Sequence, residues 1–368
     1  AYRYAFGGEI GLPPLAEDGS PTRRVRIDRP LDFAAVTDHS EFLGENTLCY
    51  QPSEVYDSES CRKIRAATSP RNSPLGMFIM SPVPWRFDDV CGSDNARCSA
   101  ARASAWQDTI GAAEKWNDTT SACERTAFIA YEYSSHRLGS NLHRNVIFRG
   151  SAVPAQPISY SEVQREWDLW AALQETCDAA GTGCDSLAIP HNSNISNGRM
   201  FSVDYPGAID LDAQRARAQL RILSEPIVEV MQHKGDSECR SDIPNVLGAT
   251  DELCNFEKFE LALGPDPGTC WEGPFADSIP HIGPDCLSHR SYTRYALTEG
   301  LREEERLGIN PFKFGLMAST DTHNALAGAV DERTWPGHLG IADAELAVRA
   351  SDDASVYGNT NNSPGGLI

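Results

Sequence analysis

The chain has 368 residues, of which 40% are hydrophobic and 23% charged, a composition typical of a globular protein with one large domain or two small ones. It carries 32 basic and 52 acidic side chains, and this formal net charge of -20 would repel phosphate backbones and anionic lipid headgroups. We therefore expect no nucleic-acid partner. No run of about 18 apolar residues occurs in the sequence, so we expect no membrane insertion either.

Ten of the eleven cysteines form close pairs along the sequence, namely Cys49/Cys61, Cys91/Cys98, Cys177/Cys184, Cys239/Cys254 and Cys270/Cys286. Most lie in loops rich in Ser, Pro, Gly and Asp, where a disulfide offsets weak core burial. We expect most of them to pair locally and Cys123 to be left over, which predicts a periplasmic or extracellular location. Sequence alone does not fix the pairing, and buried thiols in a cytoplasmic protein are the alternative.

One pattern recurs along the chain: a short apolar run, typical of a buried strand, ends in a carboxylate or an imidazole. The segments are 31–39, 127–132, 187–191, 227–233 and 314–323, and a further strand at 145–149 is preceded by His143. Helix-like stretches at 100–123, 161–180, 212–220 and 291–307 lie between them.

This alternation predicts an α/β fold with a parallel sheet. We expect an α/β barrel rather than an open sheet, because nearly every strand contributes a ligand-type residue, and the strand ends of a barrel converge on one centre. The prediction is a single barrel domain over residues 1–368. Two loop-rich insertions, at about 44–99 and 236–288, are expected to cap the mouth of the active site.

The strand-end residues predict a metal centre. Asp321 and His323 are two apart in an extended segment, so both can address one metal cluster from the same edge. With the other imidazoles and carboxylates they form a donor set without thiolates, which suits Zn, Mn or Fe, and which exceeds what one tetrahedral ion can use. We expect two or three divalent ions on the ligands His39, Glu132, His143, His191, Asp321 and His323. For each histidine taken singly, a hydrogen-bonded edge residue is the alternative.

Other polar residues have supporting roles in this interpretation. The candidate catalytic residues are Asp38, Glu132 and His233, and the candidate ligands for substrate oxygens are Arg144, Arg199 and Lys234. Surface salt bridges are the alternative for each arginine, and a solvated turn is the alternative for 233–236. Glu229 is either a partner that orients a metal ligand or a member of a buried ion pair. Four histidines lack a preceding apolar run and are interpreted as surface or loop residues, namely His136, His281, His289 and His338.

The chain resembles the polymerase and histidinol phosphatase (PHP) superfamily of metal-dependent phosphoesterases, and more closely the bacterial family called domain of unknown function 3604. The matching phrases are RPLDFAAVTDHSEFLGE, AYEYSS, NLHRNVIFRG, IPHNSN, VEVMQHKGDSEC and FGLMASTDTHNALAG. The resemblance implies a distorted seven-stranded barrel with up to three metal ions. It also implies individual roles: His39 and His323 resemble ligands of one ion, Asp321 of a second, Glu132 the bridging carboxylate, and His143 and His191 ligands of a third.

The resemblance also shows a departure. Superfamily members open with a strand ending in His-x-His, followed by another metal-binding His, and no such segment precedes Asp38. Residues 1–4 resemble the helix that follows that strand. The resemblance therefore implies a fragment that lacks the first barrel strand and up to three ligands, and whose metal site is incomplete.

The leading hypothesis is a metal-dependent hydrolase of phosphate-type esters acting on a small anionic substrate, with no covalent intermediate. A sulfatase-like hydrolase and an amidohydrolase-type enzyme are alternatives, although Lys234 and Lys313 fit the bridging lysine of the latter poorly. A secreted binding module without catalytic activity is a further alternative. The sequence does not indicate the leaving group, the metal or the oligomeric state.

Overall fold

The structure is a computed structural model that describes residues 1–67, 73–241, 243, 246, 251–259, 268–271, 286–333, 335, 337–338 and 363–367. Its strands are β1 (Ile10–Leu15), β2 (Pro21–Val25), β3 (Phe33–Ala35), β4 (Thr126–Ser135), β5 (Leu142–Phe148), β6 (Ser186–Pro190), β7 (Ile227–Gln232), β8 (Gly235–Asp236) and β9 (Gly315–Ala318). Its α-helices are α1 (Tyr2–Ala5), α2 (Leu43–Tyr50), α3 (Glu59–Ala66), α4 (Pro74–Met80), α5 (Asp88–Cys91), α6 (Ala96–Trp116), α7 (Glu166–Leu173), α8 (Leu211–Ser224) and α9 (Thr293–Leu307).

The fold is mixed α/β, as predicted, but its described strands form separate sheets and not a closed barrel. β1 and β2 form a hairpin, β3-β4-β5-β6 form a four-stranded sheet, and β8-β7-β9 form a three-stranded sheet. β3 is parallel to β4 and β7 is parallel to β9, whereas β5 is antiparallel to both of its neighbours.

The all-parallel prediction is therefore wrong at β5. β4 ends at Ser135 and β5 begins at Leu142, so only residues 136–141 connect them. A parallel connection needs a dozen or more residues, and a link this short allows only a hairpin. His143 consequently lies inside β5, opposite Ser134, and not before the strand as expected.

The predicted helices exist with shifted ends. The segment 100–123 becomes α6, and 161–180 becomes the shorter α7 followed by a π-helical turn at Gln174–Asp178. The Asp210 side chain caps α8 by accepting from the Ala213 amide at 2.8 Å, and Gly308 ends α9 with a positive φ of 73°. None of the helices in the described ranges is both long enough and apolar enough to span a bilayer.

The four-stranded sheet has a core face and a polar face because side chains alternate along β4. Tyr131 and Tyr133 point into an apolar core with Phe148 and α6, where the rings of Trp106 and Tyr131 meet edge to face at 5.8 Å. Glu132 therefore points to the opposite face. This alternation places a buried carboxylate inside a strand whose neighbouring residues pack into the core.

The cysteines pair locally, as expected, and the five disulfides join the sequence neighbours: Cys49–Cys61, Cys91–Cys98, Cys177–Cys184, Cys239–Cys254 and Cys270–Cys286. Cys123 is unpaired and exposed, as expected. Within the insertion at 44–99, the first two disulfides lie in a small apolar cluster with Ile64 and Val90. Much of the insertion at 236–288 lies outside the described residues, and so does His281. That either insertion caps the active-site mouth stays a prediction.

Thiol titration of the unfolded, unreduced protein is expected to find one free thiol per chain, because Cys123 is the one cysteine without a disulfide partner. Titration after reduction supplies the control and should find all eleven thiols. Nine or more free thiols before reduction would contradict the oxidised state.

Arg144 does not fit its predicted role as a substrate ligand. Its side chain is 1% exposed, and its Nε donates to Glu225 Oε1 at 2.9 Å. The second oxygen of Glu225 accepts from Arg221 at 3.1 Å, and Trp170 also donates to this carboxylate. Neighbouring residues on a strand point to opposite faces, so Arg144 points away from the side occupied by His143. It belongs to a buried ion pair that joins β5 to the segment after α8.

Replacing Arg144 by Met is expected to lower the free energy of unfolding by roughly 2–3 kcal/mol, because it removes one of the two cations that compensate the buried Glu225 carboxylate. Urea denaturation measures this change. Arg149→Met is the matched control, since Arg149 forms an exposed pair with Asp185 and should cost less than about 1 kcal/mol. Unchanged stability with weakened substrate binding would restore the substrate-ligand interpretation of Arg144.

Candidate metal centre

Glu132 lies at the centre of the site. Its side chain is 4% exposed, and three imidazoles surround its carboxylate. Nδ1 of His143 lies 2.5 Å from Oε1, Nε2 of His191 lies 3.3 Å from the same oxygen, and Nδ1 of His39 lies 3.2 Å from Oε2. Each carboxylate oxygen thus has at least one imidazole nitrogen beside it.

Backbone hydrogen bonds fix these neighbours. Beyond β3 the chain continues alongside β4, where the Glu132 amide donates to the Asp38 carbonyl at 2.9 Å. The backbones of His39 and Glu132 form an isolated parallel β-bridge there. On the other side, the His191 amide donates to the His143 carbonyl at 3.3 Å. The imidazoles are therefore anchored at the ends of paired strands and not on long loops.

A second group of donors follows β7 and β9. Asp321 has a positive φ of 46°, a conformation uncommon for Asp. Its Oδ2 accepts from Gln232 at 2.8 Å, forms an ion pair with Lys234, and lies 3.5 Å from Nε2 of His233. His323 donates from Nδ1 to the Asp321 carbonyl at 2.9 Å, which leaves its Nε2 available as a ligand atom.

The two sheets bring these residues together in one cluster. The rings of His39 and His323 are 5.8 Å apart, those of His39 and His143 5.9 Å, and those of His143 and His191 5.6 Å. Among the described residues of this cluster, three sets have donor atoms within 4.8 Å of one another: His39/Glu132/His143, Glu132/His191/Asp321 and His233/His323/His338. The first two sets share Glu132.

The electrostatics of the first two sets suit cations. Burial opposes ionisation of Glu132, but its imidazole neighbours outweigh this effect and hold its pKa well below the ordinary value. Burial likewise opposes ionisation of Asp321, but Lys234 and His233 keep its pKa low. Burial lowers the pKa of His143 to about 3 despite the adjacent carboxylate. Burial opposes ionisation of His191 too, but the Glu132 carboxylate outweighs this effect and raises the pKa of His191 to about 9. Ionised carboxylates and a neutral imidazole such as His143 are the ligand state that a divalent cation needs, and a cation bound to His191 would have to displace its proton.

Several buried imidazole nitrogens at the cluster have no hydrogen-bond partner within the residues that the structure describes, and this can be compared with what a metal ion would need. Among the described residues, Nε2 of His143, Nδ1 of His191 and both ring nitrogens of His338 are buried without a hydrogen-bond partner. Such atoms cost about 1–3 kcal/mol each unless something satisfies them. A divalent cation accepts the lone pairs of neutral imidazoles, so bound ions would remove part of this cost.

The remaining predicted residues lie at different distances from the cluster. Lys234 and Glu229 are close to it: Lys234 pairs with Asp321, and the buried Glu229 accepts from Ser319, while burial raises the pKa of Glu229 to about 7. Asp38 has an exposed side chain at the cavity described below. Arg199 donates to Ser140 at 2.8 Å, and its described contacts do not bring it to the cluster.

Sequence reasoning missed two histidines. The His338 ring is fully buried and lies 4.0 Å from that of His233, although no strand precedes it. The His136 ring lies 6.0 Å from that of His143, and burial lowers its pKa to about 4. His136 directly follows β4, which runs to Ser135 and not only to Glu132, so a longer strand assignment would have found it. Nothing comparable in the sequence indicates His338. His289 lies elsewhere, 3.7 Å from Glu299.

A cavity of about 1000 Å³ opens beside the cluster. One end is lined by His39, Glu132, Asp321 and His323, and the rest by mainly apolar side chains from strands of both larger sheets. The walls of the cavity include Phe33 on β3, which is 61% exposed, and Leu316 on β9, which is 51% exposed. A substrate that enters this cavity would meet both Glu132-containing sets.

Comparison with known proteins adds one assignment. The family model described as "Protein of unknown function (DUF3604)" matches residues 1–368. The searches of curated proteins and of solved structures returned no match. The family model covers the whole sequence, including the segments that carry the histidine and carboxylate cluster. The chain therefore belongs to the DUF3604 family.

Proposed function

We propose that this protein is a metal-dependent hydrolase of phosphate-type esters with a di- or trinuclear centre. The observation that carries the proposal is the Glu132 carboxylate, which is buried, contacted by three imidazoles and common to two sets of donors. A carboxylate in this position can hold two cations at a fixed spacing, which is the arrangement used to clamp the oxygens of a transferring phosphoryl group.

The donor sets assign ligands to two ions. His39, Glu132 and His143 would hold one, and Glu132, His191 and Asp321 the other. The donors are nitrogen and carboxylate oxygen without thiolate, which suits Zn, Mn or Fe. Bound there, the ions would supply Lewis acidity toward a tetrahedral ester and acidify a water molecule.

The other polar residues would act on the substrate. Lys234 is held at the cluster by Asp321 and offers an ammonium to an anionic ester oxygen. Of the two residues expected to protonate the leaving group, His233 is buried, so we retain Asp38, whose side chain is exposed at the cavity. Glu229 lies behind the ligands, where its hydrogen bond with Ser319 would help to position Asp321.

The five disulfides support a location in an oxidising compartment, the periplasm or the extracellular space. Disulfides are rare in proteins that remain in a reducing cytosol. The small anionic ester would then be met outside the cytoplasm.

We also propose that the two larger sheets are parts of one PHP-type barrel. Side chains from β3, β4, β5, β6, β7 and β9 line the same cavity, as the interior of a barrel would require. Within the described residues, β3 pairs only with β4 and β9 pairs only with β7, so each has an unpaired edge beside the cavity. The strand with His-x-His that the family resemblance implies would fit between these edges and add ligands to the cluster.

Hydrogen exchange tests this proposal by comparing residues 1–368 with a longer chain that carries such a strand at its N-terminus. The amides of Phe33–Ala35 and Gly315–Ala318 are expected to exchange more slowly in the longer chain, because a new strand would pair with both edges. The amides of β5, which is already paired on both sides, provide the internal control. Equal exchange at β3 and β9 in the two chains would contradict barrel closure.

Replacing Glu132 by Gln is expected to abolish phosphoester hydrolysis, because a neutral amide coordinates weakly and does not offset the repulsion between two cations. Turnover should fall by at least about 100-fold and metal content by at least one ion per chain, while the circular dichroism spectrum changes little. The assay uses the longer chain, loaded with metal, and chromogenic phosphomonoester, phosphodiester and sulfate ester substrates.

Glu303→Gln is the matched control, because Glu303 is a buried glutamate on α9 that pairs with Arg306 away from the cluster. This variant should retain both metal content and turnover. Full metal content and wild-type turnover in Glu132→Gln would refute the bridging role. Turnover of the sulfate ester alone would replace the phosphoesterase proposal by a sulfatase.

A further inference from the structure

The third donor set, His233/His323/His338, is separate from the two that share Glu132, since it has no residue in common with either. The His233 and His323 rings are 5.6 Å apart and the His233 and His338 rings 4.0 Å apart. One nitrogen from each ring lies within 4.8 Å of the others. His233 and His338 are buried, whereas His323 is exposed at the cavity.

Three separate backbone contacts hold these imidazoles in place. The His233 amide donates to the Thr320 carbonyl at 3.3 Å, and the His233 carbonyl accepts from Ser363 at 3.0 Å. The His323 amide donates to the His338 carbonyl at 2.6 Å. The position of His338 is thus tied to that of His323 through the main chain, although 15 positions separate them in the sequence.

The side chains add two constraints. His323 uses Nδ1 as a donor to the Asp321 carbonyl, so its Nε2 carries a free lone pair. His338 stacks on Trp335 with ring centroids 5.8 Å apart and an interplanar angle of 5°, while neither of its nitrogens has a hydrogen-bond partner in the described part of the chain. A buried imidazole that is held by stacking, with both nitrogens unsatisfied, is unfavourable unless it has a ligand.

We propose that His233, His323 and His338 together bind one divalent ion of the zinc class, additional to the pair held around Glu132. Three imidazoles and an open fourth position form a known type of catalytic zinc site, and an all-nitrogen donor set favours Zn²⁺ or Co²⁺ over Mg²⁺, Ca²⁺ or Mn²⁺. The family resemblance groups His323 with His39, whereas the structure gives His323 two imidazole partners of its own. The proposal gives ligands to the third ion of the proposed di- or trinuclear centre, and it does not require the reaction to be phosphoester hydrolysis.

Metal stoichiometry tests the site directly. Metal-free chain is titrated with Zn²⁺, and bound metal is measured after gel filtration for the wild type, His338→Ala and His289→Ala. The first variant is expected to lose one ion per chain and the second none, because His289 lies outside the cluster and contacts Glu299. Equal metal content in His338→Ala and the wild type would refute the site.

An absorption band that appears only when residue 338 binds the metal distinguishes a lost ligand from a misfolded protein. In a Cys123→Ser background, which removes the one free thiol, His338→Cys is titrated with Co²⁺. A thiolate bound to cobalt gives an intense near-ultraviolet charge-transfer band, so the variant should gain this band at one Co²⁺ per chain. The background protein alone should lack it. A folded variant without the band would place residue 338 outside the coordination sphere.

The two proposals fail independently. If His338→Ala loses one ion but the wild type hydrolyses none of the esters, the three-histidine site stands and the proposed reaction falls. If the wild type hydrolyses phosphoesters and His338→Ala keeps its full metal content, the reaction stands and the three-histidine site falls.

Discussion

A carboxylate can stay ionised in a protein interior only if neighbouring groups compensate its charge, and Glu132 imposes this constraint on the whole site. Its compensating imidazoles come from three different parts of the chain: His39 follows β3, His143 lies in β5 and His191 follows β6. The strand pairing of the four-stranded sheet is therefore tied to the electrostatics of one side chain. A shift in register of one residue would turn Glu132 into the aromatic core and leave its charge without partners.

The opposite face of the sheet supplies the rigidity that such a site needs. Tyr131 and Tyr133 alternate with Glu132 and pack into the core formed with α6, and Arg144 alternates with His143 and pairs with the buried Glu225. Each strand thus carries a structural residue beside a ligand-type residue. Because the two kinds of residue are neighbours in sequence, disturbing the core moves the ligands as well.

The acidic surface of the protein would repel the anionic substrate that we propose. A formal net charge of -20 repels an anionic ester, but salt at physiological ionic strength largely screens this repulsion at distances beyond about 8 Å. At the cluster, Lys234 pairs with Asp321, and the surrounding imidazoles add metal ligands without adding negative charge. Divalent ions bound to the proposed ligand sets would make this end of the cavity positive, so the site and not the surface would recognise the substrate.

The sequence by itself determined the features that depend on local pattern. The apolar runs located the strands and the ligand-type residues in or just after them, including Glu132, His191 and Asp321, and the short spacings of the cysteines indicated local disulfides. Local pattern suffices there because side-chain periodicity and loop closure over 7 to 16 residues act within one segment of chain. Only the tertiary structure decided that Arg144 pairs with Glu225 and that the His338 ring lies against that of His233. Arg144 and Glu225 are 81 positions apart in the sequence, and His233 and His338 are 105 apart. Such contacts depend on which distant segments pack together, and the periodicity of a single sequence carries no information about this packing.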